Sequence, residues 1–294
     1  MNDQLLAGKV ALITGGGRGM GRAMARAFAT AGAKGVAVIS SSSPTEVTDA
    51  ADEINRIAGR DAGLGLTADV RDDAACAEVI ARTVEKFGAL HILVNNAGLG
   101  MKNAFDGNRG PFWDVLPNGW DKVIGVNVNG PFHMARHAAK HLIAAGWGRV
   151  INVSKTADSM HETRNSPYGP SKAALEAMTL CWAQDFFGTG VTANLILPGG
   201  LTATTFSRSS AVQRARETGK PVYEAEDIAP LAVALASDLS ARYSGCRFNA
   251  RGWRKDRPLE EALEASRTAP IFPKPRRKRD LMTPWDALES ETIA

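Results

Sequence analysis

The sequence predicts an α/β fold in which a doubly wound parallel sheet lies between two layers of helices, a three-layer α/β/α sandwich. Short apolar runs alternate with amphipathic stretches from the start of the chain. The apolar runs, such as Lys9–Thr14 and His91–Val94, lack regular polar alternation, which is typical of strands covered on both faces. A Gly-rich turn joins the first run to the first amphipathic stretch. Repeated alternation of strand and helix then implies a parallel sheet with right-handed crossovers.

Each element is assigned from its periodicity and from the residues that bound it. The predicted helix Arg22–Ala31, for example, places Ala23, Ala27 and Phe28 on one face. The predicted strands are Lys9–Thr14, Gly35–Ile39, Leu64–Ala68, His91–Val94, Arg149–Val153, Thr192–Leu197 and an edge strand within Ser244–Ala250. The other predicted helices are Glu46–Ala58, Ala74–Phe87, Trp120–Ala144, Ser171–Phe186 and Asp227–Ala236.

The chain is expected to form one large domain over residues 1–254, followed by an extension over residues 255–294. The length of 294 residues fits one large α/β domain with an appendage. After Trp253 the sequence becomes charged and rich in proline. The basic run Lys274–Arg279 (KPRRKR) is interpreted as part of a solvated tail rather than as a nuclear or nucleic-acid signal.

Composition narrows the class of protein. Hydrophobic residues make up 44% of the chain, enough for a sizeable core, and the net charge of +4 gives no reason to expect a nucleic-acid partner. The three cysteines (Cys76, Cys181 and Cys246) match no metal-ligand spacing and are expected to be reduced thiols. No apolar run approaches the roughly 18 residues that a membrane span needs. We therefore expect a cytoplasmic protein with no metal site and no membrane association.

The Gly-rich turn is the first candidate binding site. Residues Thr14 to Gly21 (TGGGRGMG) follow the first strand and open the first helix. A pyrophosphate must lie close to backbone N–H groups at a helix N-terminus, where the helix dipole favours negative charge. Side chains at Gly15, Gly19 or Gly21 would block that approach. We favour nucleotide binding over an ordinary loop because strand and helix flank the turn.

Tyr168 and Lys172 form the second candidate site. They are four residues apart, so a helix beginning at Tyr168 places both on one face. A phenol with a pKa near 10 is a poor acid or base, and a nearby ammonium should lower that pKa. The pair can then exchange a proton with a carbonyl or alcohol oxygen. The alternative is a core aromatic residue beside an exposed lysine, but the adjacent cofactor turn favours catalysis.

The end of the second strand bears on the choice of cofactor. An acidic residue there would bind the adenosine 2′-hydroxyl and repel a 2′-phosphate. The sequence has Ser40, Ser41 and Ser42 instead, and Arg18 in the glycine turn can supply positive charge. We therefore predict NADP(H) over NAD(H), the alternative being a Ser-rich loop with Arg18 in solvent.

These motifs together resemble the short-chain dehydrogenase/reductase family over about residues 7–250. The spacing Thr-Gly-x-x-x-Gly-x-Gly, the Asn-Asn-Ala-Gly run after the fourth strand, Tyr-x-x-x-Lys and a Pro-Gly after the sixth strand occur in the family's order. The resemblance, which extends to 3-oxoacyl-acyl-carrier-protein reductases, implies a Rossmann-type fold and a homodimer or homotetramer. It implies that Lys172 binds the nicotinamide ribose and that Asn127 holds a water in the proton path. The cofactor-binding residues it implies are Thr14, Gly15, Gly17, Arg18, Gly19, Met20, Gly21, Ser40, Ser41, Ser42, Asp69, Val70, Asn96, Ala97, Gly98, Tyr168, Lys172, Pro198 and Gly199.

The family's substrate-orienting serine is displaced in this sequence. The family places it thirteen residues before the tyrosine, and position 155 (168 − 13) is Lys155. Ser154 lies fourteen residues before, and one extra residue in the following loop would return it to the role. We predict Ser154 as the serine that binds the developing alkoxide, with Thr156 and Ser159 as weaker substitutes.

Two segments are expected to border the substrate. The first, residues 99–119, contains Phe105, Phe112 and Trp113, which either line an apolar pocket or pack an irregular loop. The second, Leu201–Glu224, is either a lid or an exposed helix. The expected function is NAD(P)-dependent hydride transfer between a small-molecule carbonyl compound and a secondary alcohol. A non-catalytic nucleotide-binding regulator and an isomerase, dehydratase or epimerase on the same fold are the alternatives.

Overall fold

The computed structural model describes residues 4–107, 109–207 and 209–272, and an eight-stranded sheet lies at its centre. The strands are β1 (Val10–Thr14), β2 (Gly35–Ser40), β3 (Gly63–Thr67), β4 (Ile92–Asn95), β5 (Gly148–Val153), β6 (Val191–Leu197), β7 (Leu201–Thr202), β8 (Val222–Tyr223), β9 (Arg247–Asn249) and β10 (Arg267–Thr268). The sheet order is β10-β9-β6-β5-β4-β1-β2-β3, and β7 pairs separately with β8. All neighbours in the large sheet are parallel except β10, which is antiparallel to β9. The predicted doubly wound fold is confirmed.

Helices cover both faces of this sheet. They are α1 (Gly19–Thr30), α2 (Pro44–Ala58), α3 (Asp73–Phe87), α4 (Pro117–Ile124), α5 (Gly130–Ala144), α6 (Ala157–Met160), α7 (Tyr168–Asp185), α8 (Ser209–Glu217), α9 (Ala229–Leu235) and α10 (Leu259–Ser266). Ala11 and Ile13 of β1 pack into the layer of α1, α2 and α9, while Leu12 packs into the layer of α3, α5 and α7. Both faces of each strand are therefore apolar, which explains the continuous apolar runs. Within the described residues, no helix is long and apolar enough to cross a membrane.

The predicted long helix Trp120–Ala144 is divided in the structure. A five-residue π-helical turn, Gly125–Asn129, separates α4 from α5. A Cβ at Gly130 would lie 2.6 Å from a methyl carbon of Val70, so the chain passes too close to β3's loop for a larger residue. The wider turn carries Asn127 into the interior, as π-helical turns often do at functional sites.

The carboxyl ends of β1, β4, β5 and β6 lie at one edge of the sheet and carry the candidate functional loops. This is the edge where ligands bind in open parallel sheets.

The C-terminal part of the described chain completes the sheet. Helix α10 packs against α9, and β10 pairs with β9, so β9 is flanked on both sides. An edge strand was expected within Ser244–Ala250, whereas β9 has a neighbour on each side. The division of the chain into a domain over residues 1–254 and an extension over residues 255–294 stays a prediction. Residues 273–294, which include the basic run Lys274–Arg279, lie outside the described residues.

Candidate active site

The Gly-rich turn forms a cradle at the N-terminus of α1. Gly15 and Gly19 have φ values of +63° and +53°, in the left-handed region that side chains rarely adopt. A Cβ at Gly21 would lie 2.2 Å from the Gly15 carbonyl oxygen, so the turn and the helix touch directly. The first turn of α1 contains no acidic residue. These features fit the binding of a dinucleotide pyrophosphate at this helix N-terminus.

Thr14 and Asn96 tie this turn to the end of β4. The Thr14 hydroxyl accepts hydrogen bonds from the backbone N–H groups of Asn96 (3.0 Å) and Ala97 (2.9 Å). The Asn96 amide donates to the carbonyl oxygens of Thr14 (2.8 Å) and Gly15 (3.1 Å). The two residues therefore hold the cradle in shape through their own side chains.

The glycine turn opens into a cleft of about 470 Å³. That volume is typical of small-molecule and cofactor sites. The predicted site residues that line it are Gly15, Gly17, Arg18, Gly19, Met20, Ser40, Ser41, Ser42, Asp69, Val70, Asn96, Ala97, Gly98, Ser154, Tyr168, Lys172 and Pro198. Thr14, Gly21, Asn127 and Gly199 lie behind this lining. Gly199 has a φ of +99°, and its Cβ would lie 3.0 Å from the Arg251 Cβ, so it shapes the turn after β6.

One end of the cleft is rich in guanidinium groups. Arg71, which sequence reasoning missed, lines the cleft and forms an ion pair of 2.6 Å with Asp69. The Arg71 hydrogen bonds are the main reason that the pKa of Asp69 lies below its ordinary value. Arg18 pairs with the carboxylate of Glu46 at 3.2 Å, and both side chains are partly exposed. Glu46 is a second missed residue: it lies three positions after the end of the serine run, at Ser43, and reaches back to the glycine turn.

Tyr168 begins α7 and lies on the same helical face as Lys172, at the other end of the cleft. Burial raises the pKa of the Tyr168 phenol to about 12. This corrects the expectation of a lowered pKa, because the loss of solvent around the phenol outweighs the attraction of the nearby ammonium. Burial also lowers the pKa of Lys172 to about 8, the charge of Lys155 adds to that effect, and Glu176 opposes it. The Lys172 ammonium donates to the Val153 carbonyl oxygen at 2.7 Å.

Asn127 is completely buried beneath these two residues. Its amide oxygen accepts from the Leu99 N–H (2.8 Å), and its amide nitrogen donates to the Leu99 carbonyl (2.9 Å) and the Ser171 hydroxyl (2.9 Å). The side chain thus ties the loop after β4 to α7. Its proposed role in holding a water stays a prediction.

Ser154 lines the cleft, and its role in binding the developing alkoxide stays a prediction. The Ser154 hydroxyl donates to a Glu176 carboxylate oxygen at 2.8 Å, toward the interior, so it cannot donate the same proton to a substrate oxygen. Lys155 instead places its ammonium 4.8 Å from the centre of the Tyr168 ring. The two weaker substitutes, Thr156 and Ser159, bond each other at 2.9 Å.

Glu176 of α7 and Arg247 of β9 form a buried ion pair that sequence reasoning missed. Their nearest nitrogen and oxygen atoms are 2.7 Å apart, and the side chains are 1% and 6% exposed. Arg247 also donates to the carbonyl oxygens of Ala269 (2.8 Å) and Lys155 (3.2 Å). The spacing Tyr168, Lys172, Glu176 repeats every four residues, and this was the one signal in the sequence that placed Glu176 on the catalytic face.

Aromatic residues partly cover the end of the cleft that Tyr168 lines. Phe206, from the segment after β7, has its ring centre 5.8 Å from that of Tyr168. Phe105 packs in a small apolar cluster that also contacts Tyr168. Phe112 and Trp113 are 67% and 73% exposed, so neither lines a closed pocket in this structure.

Comparison with known proteins gives one consistent result. A family model described as short chain dehydrogenase matches residues 9–215. A short-chain type dehydrogenase/reductase from Picea abies is 36% identical over 243 residues, covering 79% of this chain and 87% of that protein. The chloroplastic NADPH-dependent aldehyde reductase 2 of Arabidopsis thaliana is 32% identical, covering 84% and 94%. A solved structure described as a short-chain alcohol dehydrogenase from Sinorhizobium meliloti 1021 has a TM-score of 0.75 at 30% identity, covering 85% and 97%.

Proposed function

The chain belongs to the short-chain dehydrogenase family, a family of oxidoreductases, and on that premise we propose that it interconverts a carbonyl compound and a secondary alcohol with NAD(P)(H). One observation carries the proposal. Tyr168 and Lys172 lie at one end of the cleft whose other end is the glycine cradle at α1. A bound dinucleotide that enters through the cradle would bring its nicotinamide toward the phenol.

The proton chemistry follows from the burial of the phenol. With a pKa raised to about 12, Tyr168 carries its proton at neutral pH and is suited to donate it to a carbonyl oxygen. A bound nicotinamide supplies or accepts the hydride. Lys172 keeps two N–H groups beyond its bond to Val153, which can hold ribose hydroxyls and return a proton toward the phenol. At neutral pH the phenol is therefore in the protonation state that reduction requires.

We further propose a preference for NADP(H). Arg18, Arg71 and the hydroxyls at Ser40, Ser41 and Ser42 line the same end of the cleft and offer donors to a 2′-phosphate. The nearby carboxylate of Glu46 is paired with Arg18 and is therefore partly neutralised. The Arabidopsis relative is itself NADPH-dependent. A higher kcat/KM with NADPH than with NADH supports this preference, and the reverse order contradicts it.

The assembly and location follow as expectations of the same proposal. Phe132 and Ile143 on α5, and Phe187 just after α7, are 47%, 45% and 49% exposed, which fits contact between copies in a homodimer or homotetramer. Light scattering of the purified protein measures this directly. We propose a cytoplasmic protein that acts on a small molecule, and a similarity to 3-oxoacyl-acyl-carrier-protein reductases stays a prediction.

The experiment that tests the function compares Tyr168→Phe with the unmodified protein. Oxidation and reduction of the nicotinamide are followed at 340 nm against a panel of ketones, aldehydes and secondary alcohols, and dinucleotide binding is followed by tryptophan fluorescence. We expect Tyr168→Phe to bind dinucleotide normally and to lose at least about 10²-fold in kcat, because the proton donor is gone. Tyr243→Phe, which removes a hydroxyl bonded to Glu264 away from the cleft, is the matched control.

The outcomes separate the competing functions. Dinucleotide binding without turnover of any compound supports a non-catalytic regulator, which the inward-turned Ser154 hydroxyl would favour. Conversion without net change at 340 nm supports an isomerase, dehydratase or epimerase. Undiminished turnover by Tyr168→Phe excludes the proposed proton donor.

A further inference from the structure

Lys155 places a positive charge beside Tyr168, which itself lines the cleft. Its ammonium lies 4.8 Å from the centre of the Tyr168 ring and donates to the Ser159 carbonyl oxygen at 2.7 Å. The side chain is only partly accessible to solvent. An ammonium has three N–H donors, so this single bond leaves donors for another oxygen beside the phenol.

The position of Lys155 is fixed from both sides by buried groups. On one side its carbonyl oxygen accepts from Arg247 at 3.2 Å. On the other side the preceding residue, Ser154, is bonded to Glu176, the ion-pair partner of Arg247. These contacts hold the backbone at Ser154 and Lys155 in place. The Ser154 hydroxyl is therefore held toward Glu176, while the Lys155 side chain lies against Tyr168.

The charge of Lys155 lacks a close anionic partner in the described part of the chain. No described carboxylate lies within 4.0 Å of its ammonium. Burial lowers the pKa of Lys155 to about 8, the more distant charge of Glu162 opposes this effect, and that of Arg109 adds to it. A partly buried ammonium bonded to a neutral carbonyl is a place where a ligand anion gains a strong charge-assisted hydrogen bond.

We propose that Lys155 binds an anionic oxygen of the substrate beside the Tyr168 hydroxyl, a role for which the inward-bonded Ser154 is not available. The proposal rests on the reductase function given above. In reduction a hydride adds to the carbonyl carbon, the π electron pair moves onto oxygen, and the Tyr168 proton neutralises that oxygen. Lys155 donates a hydrogen bond as the charge develops and ends the step with its own proton in place.

The anionic oxygen has two possible sources on a substrate. It is either the reacting oxygen itself, as its charge develops, or a carboxylate elsewhere on the molecule. Cyclohexanone and 4-oxocyclohexanecarboxylate separate them, because they share the ring ketone and differ by one carboxylate.

The kinetic test uses Lys155→Ala, Lys155→Ser and the control Lys34→Ala. Lys34 is an exposed lysine just before β2, at the opposite edge of the sheet, and its removal should leave the kinetics unchanged. If Lys155 binds the reacting oxygen, Lys155→Ala lowers kcat about 10²-fold to 10³-fold on both substrates, and Lys155→Ser restores part of the loss. If it binds a carboxylate, KM rises for the keto acid alone. Unchanged kcat and KM on both substrates in Lys155→Ala overturn the proposal.

A binding test gives a result that does not depend on turnover. Calorimetric titration with cyclohexanecarboxylate, a non-reacting anion, is made on the free protein and on its NADP⁺ complex. We expect a Kd about tenfold weaker or more in Lys155→Ala than in the unmodified protein and in Lys34→Ala. Equal affinities in all three proteins overturn the proposal. Failure of the unmodified protein to bind NADP⁺ counts against the reductase function instead, and the titration of the free protein still decides the role of Lys155.

Discussion

Replacing Arg247 with methionine removes the cation that Glu176 faces inside the protein. Glu176 is 1% exposed, so water cannot take over the solvation of its carboxylate. Burial already raises the pKa of Glu176, and the charge of Arg247 is the strongest influence that opposes the rise. In Arg247→Met the pKa should rise further, and the carboxyl should take up a proton rather than remain as an isolated buried charge.

The uptake of this proton determines how much stability the variant loses and makes that loss depend on pH. Keeping Glu176 protonated at pH 7, against an ordinary pKa of 4.5 in the unfolded chain, costs about 3.4 kcal/mol at 1.36 kcal/mol for each pH unit. At pH 5 the same requirement costs only about 0.7 kcal/mol. The folded pKa lies above the unfolded one, so the variant loses stability as pH rises above 4.5. The loss of the hydrogen bonds to the Ala269 and Lys155 carbonyl oxygens lowers the stability further by an amount that does not change with pH.

Urea unfolding at pH 5 and pH 7, followed by tryptophan fluorescence, measures this difference. Relative to the unmodified protein, in which the pKa of Glu176 is already raised, Arg247→Met should lose up to about 2.7 kcal/mol more at pH 7 than at pH 5. Arg257→Met, which removes one partner of an exposed pair with Glu261, should lose under about 0.5 kcal/mol at either pH. The double variant Arg247→Met, Glu176→Gln should lose the pH dependence. An equal destabilisation of Arg247→Met at both pH values would refute the reasoning.

Three further outcomes are expected. Gly21→Ala should abolish dinucleotide binding measured by fluorescence, because its Cβ would lie 2.2 Å from the Gly15 carbonyl oxygen; normal binding would contradict the close contact. Arg18→Met should lower kcat/KM about tenfold for NADPH and much less for NADH in the assay at 340 nm, since a 2′-phosphate loses a charge-assisted bond. The rate of reduction should fall above a pH of about 8, where the ammonium groups of Lys172 and Lys155 both lose their charge, and a flat profile in the assay at 340 nm would count against this expectation.

The sequence was sufficient to predict the strands and helices that have a clear apolar pattern of their own. The six predicted strands from β1 to β6 are present because buried parallel strands need apolar residues on both faces. Sequence alone did not show that the long helix from Trp120 is interrupted at Gly125–Asn129, where the chain passes close to the distant residue Val70. The pairing of β10 with β9 was missed for a related reason: two residues carry too little periodicity to identify a strand.

The charged residues of the site were the hardest to predict. A single charged residue in a sequence predicts a surface position, because charges are rarely buried without partners, and this applied to Glu176, Arg247 and Lys155. Their partners lie far away in the sequence, as with the 92 positions between Lys155 and Arg247. The predicted direction of the Tyr168 pKa change was wrong for the same reason. The burial that raises this pKa comes from segments distant in the sequence, such as the one that bears Phe206.

The contacts of Arg247 with Glu176 and with the Lys155 carbonyl oxygen also have a consequence for the order in which the protein folds during synthesis on the ribosome. Strand β5, helix α7 and their Glu176 leave the exit tunnel first, and synthesis of the 92 positions from Lys155 to Arg247 takes roughly 5 to 20 seconds. Until Arg247 arrives, Glu176 lacks its ion-pair partner and the Lys155 carbonyl oxygen lacks the hydrogen bond from Arg247. The nascent chain can therefore form the nucleotide cradle early, while the substrate end of the cleft acquires its final geometry only when the last strand is added.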